Sequence, residues 1–152
     1  MAMHTWFECK IRYEKVMENG MQKKVTEPYL VDALSFTEAE ARIIEEMTPF
    51  ISGEFTVSDI KRANYSELFP SDEESADRWF KCKLIFITLD EKSGAEKKTS
   101  TQVLVQAADL RDAVKKLDEG MKGTMADYQI GMVSETPLMD VYPYSAEPND
   151  KP

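Results

Sequence analysis

Trp6-Phe7-Glu8-Cys9-Lys10-Ile11 and Trp79-Phe80-Lys81-Cys82-Lys83-Leu84 hold the only two tryptophans of the chain, and both stretches follow one pattern. The second copy begins 73 residues after the first, and self-similarity at a fixed period marks a repeated structural unit. One inserted residue then moves the offset to 74, which places Gly20 on Gly94, Lys23-Lys24 on Lys97-Lys98, and Leu30-Val31 on Leu104-Val105. The same offset carries Phe36, Ala39, Ile43 and Met47 onto Leu110, Ala113, Leu117 and Met121, all apolar at helical spacing. It returns to 73 for Phe55, Val57 and Ile60 against Tyr128, Ile130 and Val133, and for Glu67-Leu68-Phe69-Pro70 against Asp140-Val141-Tyr142-Pro143. A register kept over that length predicts an internal duplication.

Within each copy the first segment alternates strictly. Phe7, Cys9, Ile11 and Tyr13 share one face while Trp6, Glu8, Lys10 and Arg12 share the other, the mark of a half-buried strand. Asn19-Gly20 and Ser93-Gly94 then supply the glycine that a tight reversal needs, which predicts hairpins with second strands near 24–33 and 98–107. Ser35 with Glu38 has the spacing of a capping box, and Asp109 with Asp112 is a looser analogue, so a helix follows each hairpin. The helices end near Met47 and Met121, where Thr48-Pro49 and the 120–123 segment break the periodicity. A third strand comes next, and 65–69 and 138–142 have the pattern of short fourth strands, each closed by a proline.

These elements predict an α+β fold made of two β-β-α-β units, with a mainly antiparallel sheet and two helices. The first repeat spans 5–70, an acidic solvated linker 71–77, the second repeat 78–144, and a loose tail 145–152. A unit of about 70 residues has a marginal core by itself. Leu30 and Leu104 also lie on the opposite face from the valines beside them, and apolar residues on both faces of a strand call for cover on both. We therefore expect one body with approximate two-fold symmetry, its helices packed by Phe36, Ile43, Leu110 and Leu117.

Composition narrows the function. A mean hydropathy of -0.46 with 31% charged residues, and no apolar stretch near the length of a spanning helix, argue for a soluble, cytoplasmic chain with no membrane partner. The amino terminus lacks the basic and apolar regions of a secretion signal. Net charge of -9 disfavours blanket neutralisation of duplex DNA. The one histidine, His4, precedes the first strand, which works against a histidine metal site or a Ser-His-Asp triad. Cys9 and Cys82 sit inside apolar alternations and read as core residues, without a histidine to activate them.

Clustered carboxylates, Glu38, Glu40, Glu45 and Glu46 on the first helix and Asp72-Glu73-Glu74 in the linker, are the raw material of an enzyme reading. A solvated helix face explains them more simply, so no catalytic residue, metal or cofactor is expected. Of the nine methionines, Met47 and Met121 read as core filling, whereas Met17 and Met21 in a turn have no such account.

The outward face of the first strands is more suggestive. Trp6, Lys10 and Arg12 in one copy and Trp79, Lys81 and Lys83 in the other repeat an aromatic-plus-basic pattern. Sheets that hold single-stranded nucleic acid use that combination, with bases on the aromatics and phosphates on the cations. The simpler alternative has both tryptophans packed against a helix or a partner.

The Trp-Phe-x-Cys-Lys pattern, Asp32-Ala33 and Gln106-Ala107 ahead of the helices, and Val57-Ser58-Asp59-Ile60-Lys61-Arg62-Ala63 resemble a small family of uncharacterised proteins encoded by gut Bacteroidetes and their phages. The resemblance implies a bacterial or phage origin and carries no catalytic residue. The leading expectation is a non-catalytic binding or assembly module that self-associates or takes a protein partner, with single-stranded nucleic-acid binding as the alternative.

Overall fold

The computed structural model describes residues 5–125 and 127–143; His4 and the expected tail lie outside them. Ten elements follow one another in the order β-β-α-β-β, twice. They are β1 (Trp6–Val16), β2 (Gln22–Asp32), α1 (Phe36–Met47), β3 (Phe55–Ala63) and β4 (Glu67–Phe69), then β5 (Arg78–Leu89), β6 (Glu96–Ala107), α2 (Leu110–Gly120), β7 (Asp127–Glu135) and β8 (Asp140–Tyr142). The class is α+β, with eight strands in two mostly antiparallel sheets.

Local chemistry accounts for each element. Gly20 (φ 83°) and Gly94 (φ 73°) take the left-handed backbone that closes the two hairpins, a conformation that costs other residues about 1 kcal/mol or more. Ser35 caps α1 by accepting from Glu38 N at 3.1 Å, and the Glu38 carboxylate reaches back to Leu34 N. Asp109 caps α2 from Asp112 N at 2.8 Å, and Asp112 reaches back to Ala108 N at 2.9 Å. Both reciprocal pairs satisfy donors that a helix start leaves open.

Each helix covers one face of its sheet. On the first sheet Phe7, Cys9, Ile11, Val31, Ala39, Ile43 and Met47 form a fully buried cluster; on the second, Phe80, Cys82, Leu84, Val105, Ala113 and Leu117 do the same. Burying a side chain the size of Ile43 or Leu117 contributes roughly 1.5–3 kcal/mol. Phe36 and Leu110 depart from the expected helix packing, at 48% and 51% exposed. Both are the first residue of their helix. Phe36 turns its ring edge-on to Phe7 at 4.9 Å, with the Arg62 guanidinium over both rings.

Strand order is β3-β1-β2-β8 in one sheet and β4-β6-β5-β7 in the other, the same order read from opposite ends. Even the irregularities correspond. The ladder between β1 and β3 skips Ser58, and the ladder between β5 and β7 skips Gly131.

The fourth strands carry the surprise. β4, from the first sequence repeat, lies parallel to β6, with Leu68 opposite Leu104; β8, from the second repeat, lies parallel to β2, with Val141 opposite Leu30. The chain divides accordingly into two compact units, Tyr65–Thr136 and the remainder on either side, so compact units and sequence repeats have different boundaries. The 71–77 segment belongs to the first of these units. Asp72, Glu73 and Glu74 are exposed, but Ala76 is buried and Lys116 Nζ holds Glu73 at 2.7 Å.

Phe69 is seated against α2 at Gly120, where a Cβ would stand 2.9 Å from the ring. Gly120→Ala is expected to destabilise the protein because the ring must move. In a Phe69→Ala background the same change should stabilise by up to about 1 kcal/mol, the helix-propensity gain of alanine. Urea melts of the four proteins check this sign reversal.

Candidate functional site

Strand alternation sends Trp6 and Trp79 to the sheet faces away from the helices, where Leu30 and Leu104 also lie. All four are buried, with Trp6 at 2% and Trp79 at 5% exposed, and none joins a helix-side cluster. The expectation of two exposed stacking platforms is therefore corrected: neither indole offers a ring face to a base. Trp6 opens β1 and Trp79 is the second residue of β5, each diagonal across the ladder from a fully buried leucine, Leu30 or Leu104. The cations stay accessible, with Lys10 and Lys81 half-buried and Arg12 and Lys83 exposed.

The register shows how differently the two outward faces are charged. On the first sheet Glu8 stands opposite Lys61, Lys10 opposite Asp59, and Glu14 opposite Lys24. Direct cross-strand neighbours of opposite charge stabilise a sheet by roughly 0.2–1 kcal/mol each, so this face neutralises itself. On the second sheet Lys81 stands between Ser134 and Leu104, Lys83 between Met132 and Gln102, and Ile87 between Asp127 and Lys98. Glu8, Glu14 and Asp59 have been replaced at the matching positions by Lys81, Ile87 and Met132. Lys81, Lys83 and Lys98 take part in no ion pair among the described residues.

A second difference lies on the helix side. Tyr13 and Tyr29 both donate to Oε1 of Glu27, at 3.0 and 3.3 Å, and Lys15 Nζ approaches its other oxygen at 3.6 Å. Tyr142 stacks on Tyr29 with centroids 6.2 Å apart. The matching positions of the second sheet hold Phe86, Thr101, Val103 and Phe69, with neither a carboxylate nor a phenol. Glu27 at an inward position between Val25 and Tyr29 was the legible signal for this cluster, since period two should place an apolar residue there. A groove lined in part by Arg12, Tyr13, Lys24 and Phe55 adjoins it.

The ionisation shifts follow burial and hydrogen bonding. Burial pushes the Cys9 thiol up to about 12, with Glu8, Asp59 and Glu40 adding to it, and pushes Cys82 up to about 11. Tyr142 rises to about 12 through burial and then Asp140 and Glu46, and Tyr29 is raised by burial and then Glu27. The two resolved carboxylate shifts, Asp90 and Asp112, are downward: hydrogen bonds from Lys92 N and the Ser93 hydroxyl hold the first, and Lys116 with Ala108 N the second. Both cysteines are free. No group of three or more His, Cys, Asp or Glu side chains among the described residues is placed to hold a metal ion. No helix among them is long and apolar enough to cross a membrane.

The sequence profile of a domain of unknown function (DUF4494) matches residues 5–144. The chain belongs to the DUF4494 family. Neither the curated proteins nor the solved structures searched gave a match. The family match spans both sheets and both helices of this DUF4494 chain, and with them every residue of the two outward faces.

The buried thiols and phenols set the alkaline behaviour. Unfolded thiols ionise near 9.0 while Cys9 and Cys82 stay neutral in the fold, so the unfolded state loses protons first. Stability is then full below about pH 9 and falls as pH climbs toward about 12. Urea melts across this range should show the decline, and it should be shallower in a Cys9→Ala/Cys82→Ala protein; an equal slope in both would contradict the assignment.

Proposed function

We propose that this DUF4494 chain is a non-catalytic binding or assembly module, cytoplasmic and of bacterial or phage origin, descended from duplication of one β-β-α-β unit. One observation carries the binding reading. α1 and its flanks expose Leu34 (75%), Phe36 (48%), Ile44 (40%) and Phe50 (75%), a concentration of apolar surface that monomeric proteins seldom leave open without a partner. The matching positions around α2 hold Ala108, Leu110, Asp118 and Thr124, so the second copy has kept only Leu110 from this set. Divergence of this kind fits a surface with a task in one copy alone.

Single-stranded nucleic-acid binding stands second. It retains Lys10, Arg12, Lys81 and Lys83 as phosphate contacts but loses the stacking that Trp6 and Trp79 would have supplied.

Size exclusion with light scattering tests the leading reading. The wild-type chain should exceed its 17.4 kDa mass at high concentration or hold a stoichiometric partner, and Ile44→Asp/Phe50→Asp should abolish either while leaving the melt unchanged. A wild-type chain that stays at 17.4 kDa and cross-links to nothing in its source cells would count against it.

A further inference from the structure

The outward face of the second sheet is basic around Lys81 and Lys83, in an acidic protein. Lys83 and Lys98 are exposed and Lys81 is half-buried, and between them lie Ile85 and Ile87, half-buried, and Met132, 40% exposed. Among the strand residues of this face, carboxylates occur only at its far end, where Asp127 lies opposite Ile87 and Glu96 opposite Leu89. Lys81 and Lys83 stand two residues apart on β5 with no carboxylate opposite either, whereas Lys98 lies nearer the Asp127 and Glu96 end; the matching face of the first sheet alternates its signs. A surface without carboxylates opposite Lys81 and Lys83, in a chain with 28 acidic and 19 basic residues, is suited to an anionic occupant.

The exposed stripe of α1 has the complementary chemistry. Glu40, Ala41, Ile44 and Glu45 are exposed, and Arg42, the one cation of the helix, is turned aside to donate to Asp32 O at 2.6 Å and Pro143 O at 3.2 Å. In α2 the positions of Thr37 and Ala41 are taken by Arg111 and Lys115, so the acidic stripe is a property of α1 alone. Ile44 between two glutamates meets the requirement set by Ile85, Ile87 and Met132 among lysines. A phosphate backbone would meet only the charge, and the exposed part of this face carries no aromatic side chain for its bases.

We propose that the α1 stripe of one copy docks on the outward face of the β7-β5-β6-β4 sheet of a second copy. The contact deepens the assembly reading and rests on it. It joins two different surfaces, so it is heterologous and adds copies head to tail until a ring closes or a filament grows. Steering by opposite charge makes it sensitive to salt.

Sedimentation velocity across a concentration series tests the pairing. The wild type should associate at low salt, with affinity falling about tenfold or more at high salt. Lys83→Glu/Lys98→Glu and Glu40→Lys/Glu45→Lys should each be monomeric with unchanged melts, because all four positions are exposed. Mixing the two variants should restore association, since each then offers the other a complementary surface. A monomeric wild type, association indifferent to either reversal, or no recovery on mixing overturns the proposal. Indifference to reversal would leave the assembly reading standing, a monomer that binds polyglutamate through Lys83 and Lys98 would point to an acidic protein partner instead, and one that binds labelled oligo-dT there would favour the nucleic-acid reading over assembly. A monomer that binds neither probe and takes no partner removes both.

Discussion

Three backbone pairs at each of two sheet edges organise this protein. β8 completes one sheet beside Tyr29, Leu30 and Val31, and β4 completes the other beside Val103, Leu104 and Val105. The central residue of each acceptor segment is fully buried, and an unpaired backbone group at such a site would cost about 1–3 kcal/mol. The short strands satisfy that edge. Both are delivered by the opposite repeat, so neither unit is complete without a segment whose sequence neighbours build the other. Had each repeat kept its own fourth strand, compact units and sequence repeats would share their boundaries.

Identical topology makes the two units controls for one another. Caps, hairpin glycines, ladder irregularities and the inward-facing cysteines correspond in both, because each answers a requirement of backbone or core. Side chains with no such duty differ between the units. The Tyr13-Glu27-Tyr29 cluster stands where the other unit has Phe86, Thr101 and Val103, the charge-paired outward face corresponds to one with Lys81 and Lys83, and the acidic stripe of α1 corresponds to a mixed one. Where selection on packing is satisfied equally by either version, the difference reports on something outside the fold, and these are the places to look for activity.

Much of the architecture was legible before any coordinates. Period two in β1, period 3.6 in α1, and a cap residue at Ser35 and Asp109 are local signals, written in neighbouring residues and repeated at a fixed offset. What the sequence left open is non-local. Trp6 shares the alternation of Glu8, Lys10 and Arg12, which does not separate a surface tryptophan from a packed one, because β1 passes from a covered to an open region along its length. Phe36 and Leu110 fit a helical stripe by spacing, yet about half of each stays exposed at the start of its helix.

By itself, then, the sequence determined the elements, their duplicated order, which face of each first strand carries the core, and the burial of Cys9 and Cys82, because all of these follow from periodicity and from the steric demands of single residues. Only the tertiary structure decided which repeat supplies each fourth strand, that the tryptophans are covered, and that Lys81, Lys83 and Lys98 lack the cross-strand carboxylates of the other sheet. The reason is physical: a three-residue strand carries too little pattern to name its neighbour, and charge balance across a sheet depends on register between segments dozens of residues apart.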